Sequence, residues 1–155
     1  LLPQYEFFKP VEGYHAALMK LSISVLKLIE RTLPYRPGIF GEFIANDSIT
    51  PMRMLQYPPA CPEDKRNGRA QYGASAHTDF SVITLLLQEK IPGLEVPSSR
   101  TSEWKPIPPN PGVYVVNISD MLSFWTKNDF KSCIINREPG DRYSIVFFFL
   151  TEIVI

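Results

Sequence analysis

Cysteine and histidine are scarce in this sequence and no charge prevails: there are two of each, and sixteen Lys+Arg balance sixteen Asp+Glu among 155 residues. Balanced charge leaves no net field to gather nucleic acid or an anionic membrane. The nearest basic cluster, Lys65, Arg66 and Arg69, stands among Pro, Gly and Asn and reads as a solvated loop. Cys61 and Cys133 are too few to frame a disulfide scaffold, so the expectation is a reducing compartment, the cytoplasm. No stretch approaches the roughly 18 consecutive apolar residues of a membrane span, and no secretory signal opens the chain. Gly-rich phosphate loops, a Ser/His/Asp nucleophile set and paired Cys-x-x-Cys ligands are missing too, which removes those reaction classes.

What is present is proline, 15 residues of it, with 45% hydrophobic residues. So much proline argues against a helical bundle and for short strands separated by turns. The length suits one domain over 1–155. It divides into a leading helical segment (1–50) and a β-rich core (51–151). The start at Leu1 and the stop just past an apolar run read as a segment of a longer protein. Surface exposed by such a cut makes a homodimer an expectation.

In the leading segment Leu18, Leu21, Val25, Leu28 and Ile29 recur at helical spacing from Val11 to Leu33, and Pro34 ends the run. A second helical turn is expected around 39–44, a strand over 52–57 and an exposed loop from Pro59 to Ala74. Phe80 to Leu87 is dense in apolar and β-branched residues. With Pro92-Gly93 and Leu94-Glu95-Val96 it reads as a hairpin whose first strand is buried. Further strands are expected at 104–107, 113–118 and 142–150, with a helical turn at 120–125. The overall expectation is a mainly β fold with flanking helices, of sandwich or jelly-roll type.

One candidate for chemistry is His77-Thr78-Asp79 at the start of the buried strand. In an extended chain residues i and i+2 share a face, so an imidazole nitrogen and a carboxylate oxygen can reach one metal ion; a histidine held by its neighbouring carboxylate, with no metal, is the simpler reading of three letters alone. By the same rule Arg142 and Ser144 share a face and suit a carboxylate, gripped by the guanidinium and the hydroxyl. Arg53, Leu55 and Tyr57 share another, from which the Tyr57 phenol can add a bond to the same anion. Asn46-Asp47-Ser48 and Asn117-Ile118-Ser119 fit the glycosylation pattern and read as incidental. Trp104, Trp125 and Phe147 to Phe149 read as core before pocket lining.

Taken in order, several motifs resemble the isopenicillin N synthase-like branch of the Fe(II)/2-oxoglutarate-dependent dioxygenases. They are Arg53-Met54-Leu55-Gln56-Tyr57-Pro58-Pro59, His77-Thr78-Asp79, Gly93-Leu94-Glu95-Val96, Val115-Val116-Asn117-Ile118-Ser119-Asp120 and Arg142-Tyr143-Ser144 with Phe147-Phe148-Phe149. The resemblance, from Met52 to Leu150, implies a double-stranded β-helix (jelly roll) core. It also implies an N-terminal region of helices and strands that these residues lack. His77 and Asp79 are then iron ligands, and Arg142 and Ser144, with Tyr57 as the weaker candidate, hold the distal carboxylate of 2-oxoglutarate. The implied activity is oxidation of a C–H bond in a small organic substrate, as in secondary metabolism, with release of succinate and CO2.

The pattern departs from the family at one point. The third iron ligand of the family stands in a phrase like Lys-Ser-Thr-x-His-Arg-Val, whereas here Lys131-Ser132-Cys133-Ile134-Ile135-Asn136-Arg137 holds no histidine and the run to Arg142 is a few residues short. His15, far off in the helical segment, reads as structural, and Cys133 as an inert cysteine. The alternative expectation is therefore a catalytically impaired homologue that works as a 2-oxoglutarate-binding or regulatory module.

Overall fold

The computed structural model describes residues 4–41, 48–58, 74–98, 101, 103–127, 134–136 and 141–150. Helix α1 (Gln4–Glu30) leads into eight strands: β1 (Met52–Tyr57), β2 (Ala74–His77), β3 (Ile83–Gln88), β4 (Leu94–Pro97), β5 (Trp104–Pro106), β6 (Tyr114–Ile118), β7 (Ile134–Asn136) and β8 (Arg142–Phe149). A short helix α2 (Asp120–Trp125) follows β6. The strands form two four-stranded sheets, in the orders β1-β8-β3-β6 and β2-β7-β4-β5. Every pairing is antiparallel. This is the jelly-roll arrangement expected from the sequence.

The expected hairpin is not formed. β3 is buried between β8 and β6, whereas β4 pairs with β5 and β7 in the other sheet. Between them Gly93 takes a φ of 145°, a conformation open to glycine and closed to most side chains, and the chain passes from one sheet to the other. A turn signal between two apolar runs does not say whether the runs bond to each other or only pack face to face. β3 also begins at Ile83, and Phe80 is exposed. The short strands β2 and β7 were not anticipated, while β1, β6, α2 and β8 fall within a residue or so of their expected limits.

Helix α1 starts earlier than Val11 and contains Pro10, which costs one internal hydrogen bond on an exposed stretch. Its buried stripe is Leu18, Ser22 and Leu26, flanked by Val25 and Ile29, with Leu33 just beyond. Leu21 and Leu28 fall to the side of this stripe and are exposed, because at 100° per residue they lie at its edge. The stripe covers the outer face of the first sheet, where Ile83, Leu85, Phe147 and Phe149 are buried with it. Each such side chain contributes about 1.5–3 kcal/mol by leaving water. A smaller cluster of Leu86, Leu94 and Val146 closes the space between the two sheets. Phe147 and Phe149 are thus core, as is Trp125, which packs against Phe40.

The helical turn near 39–44 and the loop after Pro59 lie largely outside the described residues, as do the Asn46 motif, the Lys65 cluster, Cys61 and Cys133. Among the described residues no helix is long and apolar enough to cross a membrane.

Candidate active site

Strand alternation divides the side chains of the first sheet. Ile83, Leu85 and Phe147 face outward to α1, so their neighbours Thr84, Leu86, Gln88, Val146, Ser144 and Arg142 face the second sheet. The register sets Tyr57 opposite Arg142, Leu55 and Gln88 opposite Ser144, and Asn117 opposite Thr84. Two polar corners result on one inward face. They are four residues apart along β3, roughly 13 Å of strand, with Leu86 and Val146 between them.

The first corner holds a buried cation. Arg142 is 1% exposed, and its guanidinium stands over the Tyr57 ring at 5.0 Å from the centroid. Nη2 donates to Gln88 Oε1 at 3.4 Å, a long contact, while Nε, Nη1 and the Ser144 hydroxyl have no partner among the described residues. Burial pushes the arginine pKa down, and the Tyr57 phenol opposes that shift. A buried guanidinium without a carboxylate, beside an orphaned hydroxyl, is costly unless an anion joins it. The corner therefore fits a carboxylate: two free N–H donors and one O–H converge where only acceptors are wanted. Arg53 lies on the same face but is exposed, and packs over Phe148 instead.

In the second corner, at the end of β2, His77 Nδ1 donates to the Ser75 carbonyl at 2.7 Å. That bond fixes the tautomer and leaves the Nε2 lone pair free, as metal-binding imidazoles require. Nε2 stands 3.5 Å from Asp79 Oδ1; His77 is 42% exposed and Asp79 only 6%. Asp79 Oδ2 accepts a 2.6 Å hydrogen bond from Asn117 Nδ2. Its backbone is held from α2, where Asp120 N–H donates to the Asp79 carbonyl at 2.9 Å and Met121 N–H to that of Ser81 at 3.1 Å. A nitrogen and an oxygen donor so close together fit two positions of a divalent first-row metal.

A third protein ligand is not supplied by the described residues, which contain no group of three His, Cys, Asp or Glu able to hold a metal. Across the β2–β7 pairing the residue opposite His77 is Ile134. His15 does not substitute: its Nε2 donates to the Thr50 carbonyl at 2.7 Å and its ring packs edge-on against Phe147, on the outer face. The sequence reading of His15 as structural stands.

Gln88 and Asn117 were missed as site residues. The available signal was a polar side chain at an inward position of an otherwise apolar strand. At Asn117 the glycosylation pattern drew attention instead, and the residue's burial closes that use.

Two antiparallel four-stranded sheets, with Arg142, Ser144 and Asn117 on the inward side of one and His77 at the end of a strand of the other, define a double-stranded β-helix core. The chain belongs to the 2OG-Fe(II) oxygenase superfamily, which it matches over residues 49–151. It is 51% identical over 152 residues to the 2-oxoglutarate-dependent dioxygenase citB of Monascus ruber, covering 96% of this chain and 46% of that protein. It is 43% identical over 148 residues to the clavatol oxidase claD of Penicillium crustosum, covering 93% and 43%. Among solved structures, a full-length Neurospora crassa protein in complex with alpha-KG and 5-formyluracil superposes with a TM-score of 0.82 at 29% identity, over 95% of this chain and 49% of that one. The chain thus spans about half the length of the curated relatives it matches. Iron(II) and 2-oxoglutarate are the metal and cosubstrate of this superfamily.

Proposed function

We propose that this chain carries the core of an Fe(II)- and 2-oxoglutarate-dependent oxygenase that oxidises a C–H bond of a small organic molecule. The single observation behind this reading is the buried Arg142–Ser144 corner, unsatisfied among the described residues, on the same sheet face as Asn117, which bonds the carboxylate of the His77–Asp79 pair. His77 Nε2 and Asp79 Oδ1 hold the iron. Arg142 and Ser144, backed by Tyr57 and Gln88, take the distal carboxylate of 2-oxoglutarate. Iron held there would supply activation of dioxygen for oxidation of the substrate C–H bond, coupled to conversion of 2-oxoglutarate to succinate and CO2. The protein's part is orientation: the guanidinium fixes the cosubstrate at its far end, and Leu86 and Val146 keep the intervening floor dry. The relatives named above are enzymes, which supports catalysis over the binding-module alternative.

An anaerobic titration with Fe(II) and 2-oxoglutarate tests the reading. A metal-to-ligand charge-transfer band is expected with the wild-type chain and not with His77→Ala. A wild-type chain that gives no band defeats it. A cytoplasmic location and self-association through the exposed Met54, Val116 and Tyr143 of the outer sheet face belong to the same proposal. Light scattering on dilution checks the latter, and a monomer at all concentrations removes it.

A further inference from the structure

We infer that Asn117 is a positioning residue that restricts Asp79 to a single metal-facing oxygen; the inference rests on the reading of His77 and Asp79 as iron ligands. The two oxygens of Asp79 have different surroundings. Oδ1 faces the His77 imidazole, whereas Oδ2 is taken by the Asn117 amide at 2.6 Å, a short contact for N–H···O and typical of an ionised acceptor. The orientation of the amide follows from the chemistry, because an ionised carboxylate offers only acceptors and must be met by Nδ2.

Asn117 has no evident structural reason to be polar. It is 2% exposed near the end of β6, its neighbour on the inward face is Val115, and its Oδ1 is buried with no partner among the described residues. An amide kept there with half its hydrogen bonding unmet costs free energy that an apolar residue would not. Its one side-chain hydrogen bond among the described residues, to Asp79, accounts for its presence. The backbone bonds from α2 locate the Asp79 main chain, but among the described residues only Asn117 reaches its Oδ2.

The chemical consequence is coordination number. A carboxylate binds a metal through one oxygen or both, and an oxygen engaged in a short hydrogen bond is withheld. Asp79 then occupies one position and leaves the others for a chelating 2-oxo acid and dioxygen. Without Asn117, Oδ2 turns to the metal and competes with the cosubstrate.

The test is the anaerobic titration of the whole chain, comparing wild type with Asn117→Leu, of similar size, and Asn117→Ala. Ser119→Ala serves as control, because Ser119 is equally buried but its hydroxyl bonds, among the described residues, only to the Ser81 and Thr84 hydroxyls. Both Asn117 variants are expected to keep Fe(II) binding and to lose affinity for 2-oxoglutarate, with which the freed Oδ2 competes, by about 10-fold or more. At saturating iron they also show a weakened or displaced 2-oxoglutarate charge-transfer band, while the melting temperature of the metal-free Leu variant stays near that of wild type. Ser119→Ala titrates as wild type. A folded Asn117 variant that binds both partners normally overturns the assignment, as does an equal loss in Ser119→Ala or failure of both Asn117 variants to fold. If the wild-type chain itself shows no His77-dependent iron binding, the iron reading falls first and this assignment with it.

Discussion

The two faces of the β1-β8-β3-β6 sheet are built on opposite terms. Toward α1 the residues are Ile83, Leu85, Phe147 and Phe149, closed off by a helix stripe and lined with few polar groups to satisfy. Toward the second sheet the same strands present Arg142, Ser144, Gln88 and Asn117, all buried, three of them with polar atoms that have no partner among the described residues. β8 carries both programmes within eight residues, because successive side chains point to opposite sides. One face is organised for stability, and on the proposed reading the other gives up stability to hold an anion and, through Asn117, the carboxylate of a metal ligand. Unmet polar groups, more than apolar burial, mark where function lies.

Three variants break or sharpen that contrast. The largest effect is expected at Phe147→Ala, which opens a cavity beneath α1 and lowers unfolding free energy by about 3–5 kcal/mol in urea titration. Its 2-oxoglutarate affinity, measured while the protein is folded, is unchanged; a parallel loss of affinity shows that the faces are not separable. Next, Arg142→Met lowers 2-oxoglutarate affinity by about 2–5 kcal/mol, roughly 30-fold or more, in calorimetric titration. The metal-free protein melts no lower than wild type, since removing a buried cation without a counter-ion is neutral or stabilising. Lower stability with intact binding reverses the assignment of the inner face.

The smallest effect belongs to Tyr14 of α1, whose hydroxyl meets that of Tyr114 at 2.7 Å and ties the helix to β6. Burial first, and the Tyr114 hydrogen bond second, hold its pKa above the ordinary phenol range. An unfolded phenol ionises at about pH 10 while the folded one keeps its proton, so this contribution is complete below pH 10 and is lost as pH rises from there through the raised folded value. Tyr14→Phe costs about 1 kcal/mol at neutral pH and flattens the alkaline decline in urea unfolding. An unchanged decline assigns it to other groups.

Much of this was legible beforehand because strand alternation is a local rule. The pairing of Arg142 with Ser144, and of Tyr57 with the same face, follows from a spacing of two residues and needs no knowledge of the fold. His77 and Asp79 meet for the same reason, although the strand itself ends at His77 and the residues after it leave the ladder. What escaped was non-local. Gln88 and Asn117 lie 54 and 38 residues from the side chains they touch. The separation of β3 from β4 depends on which sheet each joins. Leu21 and Leu28 have the right spacing for a helix and the wrong angle for the side that α1 buries.

The sequence by itself determined the number and character of most of the strands, the end residues of several of them, and two pairs of chemical groups, because propensity, turn residues and side-chain period act over a few residues. Only the tertiary structure decided that both pairs face one interior, that β3 and β4 part into different sheets, and that an amide on β6 holds the far oxygen of Asp79. Hydrogen bonding between strands distant in the chain sets those relations, and burial gives them their energetic weight.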